Sequence, residues 1–185
     1  MIIIFISIAR KKWAAEVVPE DDLKDYYMID MEMHIFFYKK DSKSIKKAYT
    51  QKGGLAAIKI GLKILDERGP TTIDNNYNKF YENLGKNLHK VQSTKSSAKI
   101  PSFPFASTFL SRVPPYLFYE GSLDHPPCDE SVTWFISDGS LITKDLLNEF
   151  RKINLDEGDK SNVRPPQALN KREVKSVNTY KSNEE

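Results

Sequence analysis

Two consecutive prolines, Pro126 and Pro127, stand between the apolar runs Tyr116–Tyr119 and Ser131–Ile136. Neither proline can donate a backbone hydrogen bond, so Gly121–Glu130 reads as an irregular loop, and the runs beside it are held to strand length. The same punctuation recurs upstream, at Pro101 and Pro104 in the polar stretch Ser93–Pro104 and at Pro114 and Pro115. A chain cut this often builds short elements.

Met28–Tyr38 (MIDMEMHIFFY) is rich in aromatic, β-branched and methionine residues and reads as a strand. Gly53–Leu65 (GGLAAIKIGLKIL) follows a glycine pair and runs largely apolar, which suits a strand buried on both faces. The period changes in residues 72–91. Tyr77, Phe80, Tyr81, Leu84, Leu88 and Val91 recur at helical spacing, with Thr72 or Asp74 as the cap. A second helix is expected after Ser140 or Thr143, with Leu146, Leu147, Phe150 and Ile153 on its apolar face. Strands outnumber helices. The expected class is α+β, sheet-dominated and mostly antiparallel.

The chain of 185 residues is long enough for one domain. Its formal net charge of +3, on 28 basic and 25 acidic residues, lacks the clustered basic face that nucleic acid requires. Lysines between Lys86 and Lys99 read as a solvated surface. Cys128 is the one cysteine, which excludes an internal disulfide and a CxxC metal site. The apolar start MIIIFISIA is shorter than the roughly 20 residues a membrane-spanning helix needs. Its positive charges, Arg10, Lys11 and Lys12, follow the apolar run, the reverse of a signal peptide. It reads as a buried strand or an incidental extension, and the compartment stays open.

Glu32, His34 and Phe36 alternate along one strand and so project from one face. A carboxylate beside an imidazole can hold one ring nitrogen and leave the other for a metal. The same pair also serves as a buried histidine satisfied by its neighbour. Residue chemistry alone leaves both readings open.

Tyr119–Trp134 reads YEGSLDHPPCDESVTW, and downstream NVRPPQALNKR carries Asn162, Arg164, Pro165, Gln167, Leu169, Asn170 and Arg172. In order and spacing these resemble the alpha-carbonic anhydrases, whose loop reads YxGSLTTPPC with ExVTW beyond it, and whose C-terminal stretch reads NxRPxQxLNxR. Gly54–Leu62 (GLAAIKIGL) is similar to that family's GLAVLGxFL strand, and Glu32–Phe36 (EMHIF) to its ExHxV strand. The likeness spans about Met28 to Arg172. It implies a carbonic anhydrase fold incomplete at its N-terminus: an unmatched extension at 1–26, a partial domain at 27–174 and a frayed polar tail at 175–185.

The resemblance also implies a chemistry, in which zinc turns a bound water into hydroxide that attacks carbon dioxide and yields bicarbonate. It makes His34 a zinc ligand and Glu32 its hydrogen-bond partner. The family's other two ligands come from an upstream HxH strand. This chain's remaining histidines are His89, expected on the first helix, and His125 in the loop. Asp124 and His125 stand at the family's two threonine positions; the first threonine orients the zinc hydroxide, and an ionised Asp124 accepts hydrogen bonds without donating. Phe36, Ala57, Leu123, Val132 and Trp134 would line the carbon dioxide pocket, and Cys128 matches a cysteine that forms a disulfide in secreted members.

The expectation is a family member with zinc bound weakly or not at all and with impaired or absent catalysis. The alternative is a non-catalytic interaction module on the same scaffold. A further expectation is self-association: without an HxH strand beside it, the edge of Met28–Tyr38 would be unpaired unless Ile2–Ile8 covers it.

Overall fold

A computed structural model describes residues 2–7, 29–65, 75–93, 96–104, 108, 116–155, 162 and 167–177. Their elements in chain order are β1 (Ile2–Ser7), β2 (Met31–Tyr38), α1 (Ile45–Tyr49), β3 (Leu55–Ile64), α2 (Asn75–Leu88), β4 (Tyr116–Gly121), β5 (Val132–Ile142), α3 (Lys144–Phe150) and β6 (Lys175–Val177). The six strands form one sheet in the order β1-β2-β3-β5-β4-β6. Its pairings are antiparallel except for β3 with β5, which is parallel. The sheet-dominated, mostly antiparallel α+β class holds.

Strand alternation divides the core in two. Met31, Met33 and Ile35 of β2 join Ile58, Ile60 and Leu62 of β3 on one face, where Phe80, Tyr81, Leu84 and Leu88 of α2 and Leu147 and Phe150 of α3 cover them. Full burial of a side chain of this size contributes about 1.5–3 kcal/mol. The opposite face carries Phe36, Leu55, Ala57, Val132 and Trp134, closed over by Ala48 of α1 and Leu123 of the proline loop. Register explains the grouping: Phe36 pairs with Ala57 across β2–β3, and Ala57 with Trp134 across β3–β5.

The expected apolar helix face is the buried one, and the periodic residues continue into a 3-10 turn at His89–Val91. Its Thr72 or Asp74 cap lies outside the described residues. The cap of α3 is Thr143, whose side chain accepts from the Leu146 amide at 3.2 Å. Ser140 belongs to β5 instead, with its hydroxyl 3.4 Å from Tyr81 Oη.

The cover that Ile2–Ile8 offered the β2 edge is present: Ile2–Ser7 runs antiparallel along it, Ile4 opposite Ile35 and Ser7 opposite Glu32. Two expectations change. The tail is not frayed from its first residue, because Lys175–Val177 pairs with Tyr116–Phe118 on the outer side of β4. The strand expected at Ser131–Ile136 runs on to Ile142, since the residues beyond Ile136 keep their ladder with β3 across an irregularity between Ile60 and Leu62.

Candidate functional site

The site lies where the Phe36–Trp134 face of the sheet meets the proline loop. Gly121 closes β4 at the entrance to that loop, and a Cβ there would come within 2.8 Å of the Tyr119 ring and 3.3 Å of Trp134 Cδ1. Glycine is the residue that lets the strand end against these rings. Trp134 then donates from its indole Nε1 to the Ser122 carbonyl at 2.9 Å, and the Leu123 amide donates to Asp129 O at 3.0 Å. Pro126–Pro127 is cis, and Cys128 follows with a φ of 62°, its thiol free. This folding of the loop sets Asp124 over β2.

His34 is met from two sides. Its Nε2 lies 3.1 Å from Glu32 Oε2, and its Nδ1 lies 2.7 Å from Asp124 Oδ2. Lys59, directly opposite His34 on β3, places Nζ 2.8 Å from Glu32 Oε1. Asp124 Oδ1 faces His125 Nδ1 at 2.8 Å. Lys59, Glu32, His34, Asp124 and His125 thus form one chain of contacts from β3 through β2 to the loop. The His34 and Glu32 side chains are each 5% exposed and Asp124 is 27% exposed, so the inner part of this chain is dry.

Burial dictates what the charges do. Burial alone would lower the His34 pKa, but the hydrogen bonds to Asp124 and Glu32 and their negative charges raise it above the ordinary imidazole value. Burial likewise works to raise the Glu32 carboxyl, and contact with His34 and the Lys59 ammonium lowers it on balance. Asp124, despite its burial, is held well below the usual carboxylate range by His125 and His34. An imidazolium donates from both nitrogens, whereas a neutral ring donates from one. His34 is thus held between two carboxylates, one facing each ring nitrogen.

Around this chain the rings pack edge to face. His34 lies 5.1 Å from Trp134 and 6.4 Å from Phe36, and Phe36 lies 5.5 Å from Trp134, centroid to centroid. His125 sits 6.0 Å from both Phe36 and Tyr49. Phe36, Ala57, Leu123, Val132 and Trp134 are each no more than 3% exposed and form one cluster. The candidate zinc-site and pocket residues therefore come together, whereas His89 is exposed on the α2 side. Arg172 of the downstream motif sits 6.0 Å from the centre of the Tyr119 ring and donates from Nε to Leu169 O at 2.8 Å. Arg164 and Pro165 lie outside the described residues. Lys59 was not foreseen, although a lysine two residues beyond Ala57 on a buried strand, and so on the same face, was a signal for it.

The eukaryotic-type carbonic anhydrase family model matches residues 20–178. The chain belongs to the carbonic anhydrase family. It is 28% identical over 152 residues to carbonic anhydrase 3 of Homo sapiens, covering 78% of this chain and 54% of that protein. It is 31% identical over 140 residues to mitochondrial carbonic anhydrase 5B of Rattus norvegicus, covering 72% of this chain and 41% of that one. With carbonic anhydrase 1 of Oryctolagus cuniculus it shares 39% identity over 102 residues, 50% of this chain and 43% of the relative. The chain spans about half the length of the curated relatives it matches.

Carbonic anhydrases typically use zinc, and a catalytic zinc takes three protein ligands and one open position. Among the described residues no group of three His, Cys, Asp or Glu side chains is placed to hold a metal ion. Zinc bonds to nitrogen and oxygen of about 2.0–2.1 Å in tetrahedral geometry hold two such ligands roughly 3.3 Å apart. The His34–Asp124 separation is 2.7 Å, a direct hydrogen bond with no metal-sized gap between the two atoms. As they are placed, the described residues do not fit zinc. Among the described residues, no helix is long and apolar enough to cross a membrane.

Proposed function

We propose that this chain is a carbonic anhydrase family protein that hydrates carbon dioxide weakly or not at all and binds zinc weakly or not at all. The family reaction needs a metal hydroxide beside an apolar wall, with a hydroxyl group to orient it. One observation supports the reading above the others: the Asp124 carboxylate is hydrogen-bonded at 2.7 Å to the Nδ1 of His34. That nitrogen has no lone pair to give a metal while it donates to Asp124. The apolar wall of Phe36, Ala57, Leu123, Val132 and Trp134 remains, and serves as core. Asp124 and His125 then act as hydrogen-bonding partners rather than as groups that orient a nucleophile. On the domain division, residues 27–174 are read as the family domain, with Ile2–Ser7 added as an edge strand.

Stopped-flow hydration of carbon dioxide with a pH indicator tests this on the purified chain. Rates equal to the buffer are expected, with or without added zinc. Turnover that a sulfonamide abolishes would overturn the reading. A metal-free, folded scaffold of this kind remains available for binding other molecules through its surface.

A further inference from the structure

The proline loop of residues 122–131 has no strand or helix of its own, yet Leu123 at its start is fully buried and Asp124 reaches across to β2. Leu123 packs in the apolar cluster, Trp134 donates to Ser122 O, and at the far end the Leu55 amide donates to Ser131 O at 3.1 Å. A polar tie joins the loop to β2 as well. That tie has alternating sign: Lys59 ammonium, Glu32 carboxylate, His34 imidazole and Asp124 carboxylate, over contacts of 2.8, 3.1 and 2.7 Å. A metal ion in such a place would join side chains of different elements through its positive charge. Here the ring itself makes the join, because each of its nitrogens lies within hydrogen-bond distance of a carboxylate oxygen.

We propose that Asp124 takes the part a metal ion would play at His34, closing a metal-independent cross-link that fastens the 122–131 loop to β2 and β3. This deepens the reading of the site as non-catalytic and rests on it. The geometry carries the proposal in three ways. Both Asp124 oxygens are engaged, Oδ2 by His34 and Oδ1 by His125, so its orientation is fixed. Glu32 is engaged on both oxygens as well, by a hydrogen bond from His34 and an ion pair with Lys59. Each buried charge therefore faces an opposite one, the condition under which buried ions are tolerated. Removing one link leaves its buried neighbour with one partner in place of two. Asp124 is thus a positioning residue for the loop.

Thermal unfolding of the full chain at pH 6 tests this, for the wild type, Asp124→Asn and Asp124→Ala, each with a chelator and with excess zinc chloride. The wild-type midpoint is expected to be the same in both solutions, and both variants to melt lower by roughly 5–10 °C, as when a buried charge loses one of its two partners. The Asp124→Asn change keeps the shape of the side chain, so its effect reads the charge and not the packing. If either variant fails to fold, nitrogen-15 spectra of the wild-type histidines decide: two protected His34 ring N–H signals, unchanged by zinc, are expected. Wild-type melting that rises with zinc, or an Asp124→Asn variant that melts with the wild type, would overturn the cross-link. Sulfonamide-sensitive turnover in a wild type whose melting ignores zinc would overturn the functional reading and leave the cross-link standing.

Discussion

Lys59 and His34 face one another across the β2–β3 ladder, and Glu32 lies between their charges, 2.8 Å from Lys59 Nζ and 3.1 Å from His34 Nε2. A carboxylate only 5% exposed is stable there because both of its oxygens meet a cation. The arrangement fixes how the protein responds when any member is changed.

Lys59→Met keeps the aliphatic stem and removes the charge. It is expected to destabilise the fold by about 3 kcal/mol, because Glu32 loses one of two compensating cations in a buried place. Urea denaturation measures it. A change below about 0.5 kcal/mol, as for an exposed pair, would show that solvent reaches Glu32.

The same chain of contacts sets an unusual pH profile. Glu32 and Asp124 titrate lower in the folded chain than in the unfolded one, so their contribution is complete above about pH 4 and is lost on further acidification. His34 is raised, so its contribution is complete below about pH 6.5 and is lost as the pH climbs through the folded value. Maximal stability is expected between about pH 4.5 and 6.5, with a decline on the alkaline side. Denaturation midpoints across the acid-to-alkaline range report it, and a midpoint that climbs steadily from about pH 6 to 8 would contradict it.

Phe36 is 1% exposed and touches the His34, Trp134 and His125 rings. Phe36→Ala is expected to cost about 3–5 kcal/mol, as a core aromatic does. A loss near zero would place the ring in a solvent-filled recess instead of the core, and chemical denaturation distinguishes the two.

Much of this was legible in the sequence, and the limits have physical causes. The 3.6-residue period of α2 showed because Phe80, Tyr81, Leu84 and Leu88 all meet the sheet, and a single buried face writes a regular pattern. Glu32 and His34 were readable as partners because strand alternation acts over two residues. The contact that decides the site, His34 with Asp124, bridges 90 positions and depends on loop path, which no local pattern encodes. β5 was read short because Asp138, Gly139 and Ser140 are poor strand formers, and tertiary pairing with β3 overrides that preference. The partner of β2 was legible only as a possibility, since pairing of Ile2–Ser7 depends on an edge that exists only in the folded sheet.

That pairing makes a prediction of its own. β1 covers one side of β2, whose residues Met31 to Phe36 are all buried. Deletion of residues 1–9 is expected to expose a long apolar edge and drive self-association, which the full chain resists better. Size-exclusion chromatography with light scattering compares them, and two equally monomeric proteins would show that β1 is dispensable.

The central claim is that the His34 nitrogen a metal would use is held by Asp124 instead. Zinc content per chain, by elemental analysis of protein purified with zinc present and dialysed against a mild chelator, tests it most directly. The expected result is far less than one zinc per chain. One zinc retained per chain would contradict the account, because metal and Asp124 cannot both hold that nitrogen at 2.7 Å.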